Sequence, residues 1–326
     1  MGEELFTDDP LDCAFIEMEQ PDGWQQGAAS PELLSHRGRM RSAGVALPLE
    51  DKIAHALKVL RSAFDRHDRW RVSYSGGKDS TVVSHLAVQN GFLCPHAYAD
   101  TRLEYPETRR QVNRWRQYLG QRGVVLLRAR SKLKPLDVWS DGLPIGSKMI
   151  ASKLRQYLAT GNEAHLRRVP KRWHEGARKL RKIGIKISEK CCDILKKNPM
   201  RELDKKYGFL GAITGVRATE SEARKLSWLQ RGSLYHSNRN GMWMCHPLAY
   251  WTYEDTVEYL RRNDIEVLRP PLRGSGCMAC GFGCHLDTRA GRHSQLDWLR
   301  LHYRKMHRAL VQDTGMEEAI DILEGE

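Results

Sequence analysis

Arg71-Val-Ser-Tyr-Ser-Gly-Gly-Lys-Asp-Ser80 is the stretch whose reading decides the fold. Trp70 to Tyr74, ahead of the glycines, reads as a short buried strand. Val82, Val83 and Leu86, behind them, fall at helical spacing, so a helix is expected to begin near Asp79. Strand, glycine pair, lysine and helix together make a phosphate cradle. Gly76 and Gly77 let backbone N–H groups approach an oxyanion with no Cβ in the way. The helix start presents unpaired N–H groups and the positive end of its dipole. Lys78 adds a point charge, and Ser75 and Ser80 add hydroxyls. Asp79 stands where the Walker A pattern needs Ser or Thr, so this is a different kind of loop. The plainer alternative is a polar strand-to-helix turn without a ligand.

Outward from the loop, strands and helices alternate. Ile53, Leu57, Leu60 and Phe64 mark one face of a helix before it. Phe92 to Ala99 reads as a second strand ending at Asp100-Thr101, and Glu104-Tyr-Pro-Glu-Thr108 opens another helix, Pro106 being acceptable in a first turn. Val124 to Leu127, Phe209 to Thr214 and Trp243 to Leu248 read as further strands. Thr252 and Asp255 have the spacing of a capping box, and Gln295 to Ala309 reads as a helix. The expected fold is therefore α/β, a doubly wound, mainly parallel sheet with a helical insertion and a C-terminal cysteine-cluster region. Expected boundaries are an N-terminal extension over 1–48, a nucleotide domain over 49–265 with an insertion at about 151–208, and a C-terminal segment over 266–326. Ligands of such sheets bind beyond the carboxyl ends of the strands. Asp100 is expected there, holding a ribose hydroxyl or Mg2+, with a helix-capping role as the alternative. Gly215-Val-Arg-Ala-Thr-Glu-Ser-Glu-Ala-Arg224 would bring Arg217 and Arg224 to the same edge for an anionic ligand, unless Glu220 and Glu222 merely pair them at the surface.

Composition narrows the setting. The 326 residues carry 53 Lys and Arg against 40 Asp and Glu, a net of +13. Residues 151–210 hold 17 basic against 6 acidic residues, so this stretch alone supplies +11. Gly161 and Pro170 divide it into two or three helices. Such charge suits a polyanionic partner, DNA or tRNA, although a solvated helical face reads the same way. No apolar run is long enough to span a bilayer, and the acidic start, Met1 to Pro10, lacks a signal-peptide pattern; a cytoplasmic location is the expectation.

In that compartment, cysteines are metal ligands, catalytic thiols or core residues more often than disulfides. Cys13, Cys94 and Cys245 stand alone and read as small buried hydrophobes. The other five cluster: Cys191-Cys192, then Cys277-Met-Ala-Cys280-Gly-Phe-Gly-Cys284 beginning 85 residues after Cys192. Adjacent thiols diverge and chelate one tetrahedral ion poorly, but they suit two irons of one cubane. A 4Fe-4S cluster, zinc and buried core thiols are the three readings, with Cys284 a spare candidate.

Ser75-Gly-Gly-Lys-Asp-Ser80 resembles the PP-loop of the ATP pyrophosphatases, which implies ATP as substrate, cleavage to AMP and pyrophosphate, and a loop gripping the leaving pyrophosphate. More widely, the loop, Asp100-Thr101 with Tyr105-Pro-Glu-Thr108, Gly215-Val-Arg217 with Arg224, and Pro247-Leu-Ala-Tyr-Trp251 resemble, in order, the phosphoadenosine phosphosulfate reductase family. The resemblance runs from about residue 50 to 310. From it, Lys78, Asp79, Arg217 and Arg224 are implied to be catalytic. The loop residues with Asp100 are implied to bind nucleotide, and Cys191, Cys192, Cys277 and Cys280 to hold a four-iron cluster, as in the adenosine phosphosulfate reductases.

Two departures stand out. The reductases use a cysteine in a C-terminal Glu-Cys-Gly motif, whereas no cysteine follows Cys284 and the tail reads Gly315-Met-Glu-Glu-Ala-Ile320. Their loops usually depart from Ser-Gly-Gly-Lys-Asp-Ser, which is intact here, as in members that consume ATP. Intact loop plus cysteines looks most like the ATP pyrophosphatases of DNA phosphorothioation or tRNA thiolation. In that scheme a nucleic-acid oxygen is adenylylated and sulfur, from the cluster or from a donor protein such as a cysteine desulfurase, displaces AMP. The alternatives are a reductase or an ATP sulfurylase-like enzyme of sulfate assimilation, a nucleic-acid-binding protein with an inactive nucleotide site, and a zinc-stapled interaction module.

Overall fold

The structure is a computed structural model that describes residues 30–268, 276–282 and 295–325. Six strands form one sheet: β1 (Trp70–Ser73), β2 (His96–Asp100), β3 (Leu126–Arg130), β4 (Gly211–Ile213), β5 (Leu234–Ser237) and β6 (Met242–Cys245), in the order β3-β2-β1-β4-β6-β5. β1 pairs in parallel with β2 and β4, and β4 in parallel with β6; β5 pairs antiparallel with β6. The mainly parallel α/β sheet expected from the alternation is thus present. β6 overlaps the expected strand at Trp243 to Leu248, whereas β5, its hairpin partner, is an addition; Asn240-Gly241, with Gly241 at φ 64°, is the turn signal.

The chain divides into two compact units. Within the described residues the first comprises 30–97, 114–127 and 207–267. Its core joins Trp70, Val72, Val82, Val83, Leu86, Ile213 and Trp251 to Ala56 and Leu60 of the helix Leu49–Phe64. Each fully buried apolar side chain of this size contributes about 2 kcal/mol or more. Gly211 faces Trp70 across the β1–β4 ladder, and a Cβ there would lie 2.3 Å from the indole, so only glycine fits. The capping box is present: Thr252 Oγ1 accepts from Asp255 N at 3.2 Å and starts the helix Tyr253–Arg262. Before β1, the helix Pro31–Ala46 occupies part of the expected extension, whereas Phe6, Phe15 and Trp24 lie outside the described residues.

The second unit comprises 98–113, 128–206 and the described residues beyond 267. Its core gathers Tyr105, Trp139, Ile145, Leu154, Trp173 and Leu180 with Leu299, Val311 and Leu323. The basic stretch falls in this unit, and Gly161, at φ 72°, ends the helix Lys148–Thr160 as its position suggested. Pro170 separates the short turns Glu163–Arg168 and Lys171–Trp173 ahead of the helix His174–Ile183. The expected tail helix is shorter, Gln295–His302. The chain then breaks at Tyr303 and resumes as Arg304–His307, a π turn and the helix Met316–Glu324.

Candidate functional site

The phosphate loop belongs to the first unit. β1 ends at Ser73, Gly76 takes φ 78°, and the helix Lys78–Gln89 starts with Gly77 as its cap. The left-handed turn therefore sits at Gly76, while Gly77 is extended at φ −86°. Gly77 supplies no side-chain cap, so the first N–H groups of the helix stay available at its mouth. Ser75 and Ser80 brace the loop across its base, their hydroxyls 3.1 Å apart, and Ser80 Oγ donates to Gly77 O at 2.9 Å.

Two cations converge on one oxygen beside this mouth. Lys78 Nζ lies 2.6 Å and Arg217 Nε 2.9 Å from Asp79 Oδ1. Arg217 is 7 % exposed and is steadied by Thr219 Oγ1 at 3.2 Å. Lys78 also donates to Thr256 Oγ1 at 3.0 Å and lies 4.5 Å from the Tyr253 ring centre. Burial lowers the Lys78 pKa, and the bond to Asp79 opposes that shift. One carboxylate thus holds two partly dehydrated cations, and the trio keeps a net positive charge that an incoming phosphate can share. Gly215 completes the arrangement, because a Cβ there would lie 2.7 Å from the backbone of Asp79. No motif in the sequence marks Gly215, Tyr253 or Thr256 for these contacts; the capping box at Thr252 is the signal that places the last two.

The remaining nucleotide-site candidates are placed differently. Arg224 is half exposed at the start of the helix Glu222–Arg231, and among the described residues its side chain makes a loose pair with Glu220, at 3.9 Å. Asp100, the last residue of β2, is buried in the second unit. It accepts from Arg130 Nε at 2.8 Å, from a second Arg130 nitrogen, and from Arg102 N at 3.1 Å. Its carboxylate therefore anchors an arginine and the Arg102 backbone.

The clustered cysteines also lie in the second unit. Cys191 is buried and accepts from Trp139 Nε1 at 3.2 Å. Cys277 pairs in a bridge with Glu104, and Thr101 Oγ1 lies 3.5 Å from its sulfur. Desolvation pushes both thiols up to about 12, and each responds to the charge of Cys192, so the pair and the Cys-x-x-Cys share one neighbourhood. Cys280 acts on Cys277 in the same way. Cys284 lies outside the described residues, as does Cys13. Cys94 and Cys245 are buried in the first unit, as expected of lone thiols. Among the described residues no three His, Cys, Asp or Glu side chains are arranged to hold a metal ion. The donor set nevertheless fits a thiolate-bound group in kind. An indole N–H and a hydroxyl face two of the sulfurs. Near Cys277, Glu104 Oε2 and Tyr98 Oη are buried without a hydrogen-bond partner among the described residues. A π turn, Asp193–Lys197, follows Cys192 directly.

A mainly parallel α/β sheet carrying a glycine-rich phosphate loop at a helix start defines a nucleotide-binding protein. The profile of the phosphoadenosine phosphosulfate reductase domain matches residues 69–140 and 152–290, more than half of the chain, and the chain belongs to that family, whose chemistry is nucleotide-linked sulfur chemistry. Among solved structures it is similar to the phosphoadenylyl-sulfate reductase from Candida auris in its phosphate complex. That match has 14 % identity and a TM-score of 0.41, and covers 75 % of this chain and 92 % of the other. No curated protein sequence matches. Among the described residues, no helix is long and apolar enough to cross a membrane.

Proposed function

We propose that this protein is an ATP pyrophosphatase that adenylylates an acceptor for sulfur transfer, the acceptor being a nucleic acid. The observation that carries the reading is the intact Ser75–Ser80 loop with Lys78 and Arg217 converging on Asp79. An acceptor oxygen attacks the α-phosphorus, the bond to the bridging oxygen of pyrophosphate breaks, and pyrophosphate leaves with the electron pair. Lys78, Arg217 and the helix N–H groups meet the charge that grows on the leaving group. Mg2+ would accompany the triphosphate. A sulfur nucleophile then displaces AMP.

Cys191, Cys192, Cys277 and Cys280, with Cys284 as a further candidate, would hold a 4Fe-4S cluster, zinc being the alternative occupant. Such a cluster would supply electrons or sulfur. Trp139 and Thr101 would direct hydrogen bonds at two of its ligands, and burial would keep water from them. The nucleic-acid part of the reading is supported by Arg167, Arg168 and Lys171, which are exposed and make no ion pair among the described residues. Neighbouring charge is neutralised locally, as in Arg178 with Glu163 at 2.8 Å and Arg172 with Glu324 at 2.9 Å. A cysteine desulfurase would fit as sulfur donor.

The family's own sulfate-assimilation chemistry, on a ready-made adenosine phosphosulfate, is the second reading. Exchange of labelled pyrophosphate into ATP, measured with and without DNA or tRNA, separates the two. Nucleic-acid-dependent AMP and pyrophosphate release is expected. Reduction of adenosine phosphosulfate without ATP turnover would instead establish the second.

A further inference from the structure

The acidic residues stop at Glu107 and resume at Asp137; between them the sequence carries nine Lys and Arg and no Asp or Glu. That density exceeds that of residues 151–210, yet no motif covers it. In the second unit its carboxyl-terminal part forms a built surface. Arg128 and Arg130 sit two apart on β3, an edge strand, with buried Ala129 on the opposite face. Strand geometry puts such side chains roughly 6–7 Å apart and on the same side. Lys132 and Lys134 follow, both exposed and without an ion pair among the described residues, before the short helix Pro135–Ser140.

Among the described residues, one acid pairs with the side chains of Arg128 to Lys134. Asp100 binds Arg130 closely and lies 3.7 Å from Arg128, whose side chain remains 51 % exposed. The turn that carries Arg102 is strained, since this arginine takes φ 66°, a conformation that a side chain with a Cβ rarely adopts. The strain is offset by three contacts. Arg102 N donates to Asp100, its guanidinium donates to Ser131 O, and its carbonyl accepts from Arg109 at 2.8 Å. These bonds tie the end of β2 to the residues after β3. With the Asp100 pair they fix Arg130 and Arg102 and engage one nitrogen of the exposed Arg109, and they leave Arg128, Lys132 and Lys134 facing solvent.

The geometry points to a phosphodiester-binding strip: Arg128, Arg130, Lys132 and Lys134, with Arg109, track the backbone of one nucleic-acid strand. A compact phosphate calls for cations converging on a point, as at Asp79. Here they are strung along a strand and the turn after it, which suits successive phosphates of a linear polyanion. Guanidinium groups fit phosphate oxygens by paired N–H donors, and such contacts hold a strand without reading its sequence. The strip rests on the nucleic-acid part of the proposed function and adds to it a second place of contact, apart in sequence from Arg167 and Arg168.

The test is fluorescence anisotropy with labelled single-stranded DNA and RNA of one sequence, and with the corresponding DNA duplex, across a salt series. The full chain is compared with the double variants Arg128→Glu/Lys132→Glu and Arg167→Glu/Arg168→Glu. Arg130 is left alone because it anchors Asp100, and a melting curve of each variant checks folding. A second strip variant, Arg128→Gln/Lys132→Gln, serves if charge reversal perturbs the fold. Loss of two phosphate contacts should lower the affinity at least about tenfold at low salt. It should also reduce the salt slope by about 1.4 log units per log unit of salt on single strands. Wild-type binding with an unchanged slope in both strip variants overturns the strip and leaves the nucleic-acid reading standing. Absence of wild-type binding to any of the three probes removes that reading and the strip with it. Displacement of the strand by inorganic pyrophosphate at matched total phosphate would show a compact anion site and also overturn the proposal.

Discussion

The phosphate loop and the cysteine neighbourhood are built in opposite ways. In the loop, one continuous run from Ser75 to Ser80 supplies nearly everything, and its charged groups answer one another: Lys78 and Arg217 share Asp79 Oδ1 at 2.6 and 2.9 Å. Around the cysteines, separate segments at 98–108, 139, 191–192 and 277–280 must meet, and buried polar atoms of Glu104 and Tyr98 are left without hydrogen-bond partners among the described residues. A buried carboxylate oxygen or hydroxyl left this way costs on the order of 1–3 kcal/mol. The charged groups of the loop thus answer one another, whereas the cysteine neighbourhood keeps buried polar atoms unpaired among the described residues. Preorganised charge suits transition-state stabilisation, and the unpaired atoms are what the metal group proposed above would have to account for.

The sharpest break of that contrast is metal content. Protein purified without oxygen is expected to be brown and to carry iron with labile sulfide, and Cys277→Ser is expected to lose both. Zinc in stoichiometric amount without sulfide would replace the cluster by a structural ion, and no metal at all would make these residues core thiols. Comparing Cys191→Ser with Cys284→Ser then identifies the fourth ligand.

On the loop side, Lys78→Ala should slow pyrophosphate release on the order of a hundredfold or more, with little change in melting temperature. Burial already lowers the Lys78 pKa, so its charge is partly dehydrated in the folded protein. Undiminished pyrophosphate release in this variant would take the loop out of the reaction. A large drop in melting temperature would mean that Lys78 mainly braces Asp79.

Acid should separate the two regions next. His55, His85 and His96, all in the first unit, have pKa values lowered from 6.5 to about 4, first of all by burial; the charges of Lys58 and Arg122 add to this at His55 and His85. The unfolded chain therefore binds more protons than the folded one between these values. Stability from the neutral histidines is full above about pH 6.5 and is lost as the pH falls toward 4, by roughly 1–3 kcal/mol per histidine. Hydrogen exchange followed down this range should show protection fading first in peptides of the first unit. Simultaneous loss in both units would remove the histidines as its cause.

How much of this was legible follows from how local each feature is. The loop, the helix after it, the alternation of strands and the Thr252–Asp255 box depend on neighbours within a few residues, and each is where its sequence placed it. β2 and β3 begin later than their apolar runs suggested. Phe92 to Pro95 are spent bringing the chain from the preceding helix, and Val125 lies 52 % exposed ahead of β3. Arg217 and Arg224 belong to one sequence motif, yet only Arg217 reaches Asp79, because the helix starting at Glu222 carries Arg224 to the surface. The role of Gly215 was hidden because its cause, the backbone of Asp79, lies more than a hundred residues earlier. For Asp100 the sequence offers a ribose or Mg2+ ligand or a helix cap; its arginine partners, Arg130 from β3 and the Arg102 backbone, depend on the folded register.

The finest distinction concerns Trp139. Its ring is 3 % exposed, and its Nε1 donates to Cys191 Sγ at 3.2 Å. Trp139→Phe removes that donor and part of the ring, and should cost about 1–3 kcal/mol from lost packing and hydrogen bonding whatever the cysteines hold. Stability alone therefore does not tell a cluster ligand from a core thiol. The reduction potential does. A hydrogen bond to a ligating sulfur stabilises the more negative, reduced cluster, so its loss should lower the potential of iron-loaded protein. Redox titration of the visible absorbance in wild type and Trp139→Phe measures that shift directly. An unchanged potential in a variant that keeps its iron would mean that Cys191 is not a ligand, and would turn attention to Cys284 in its place.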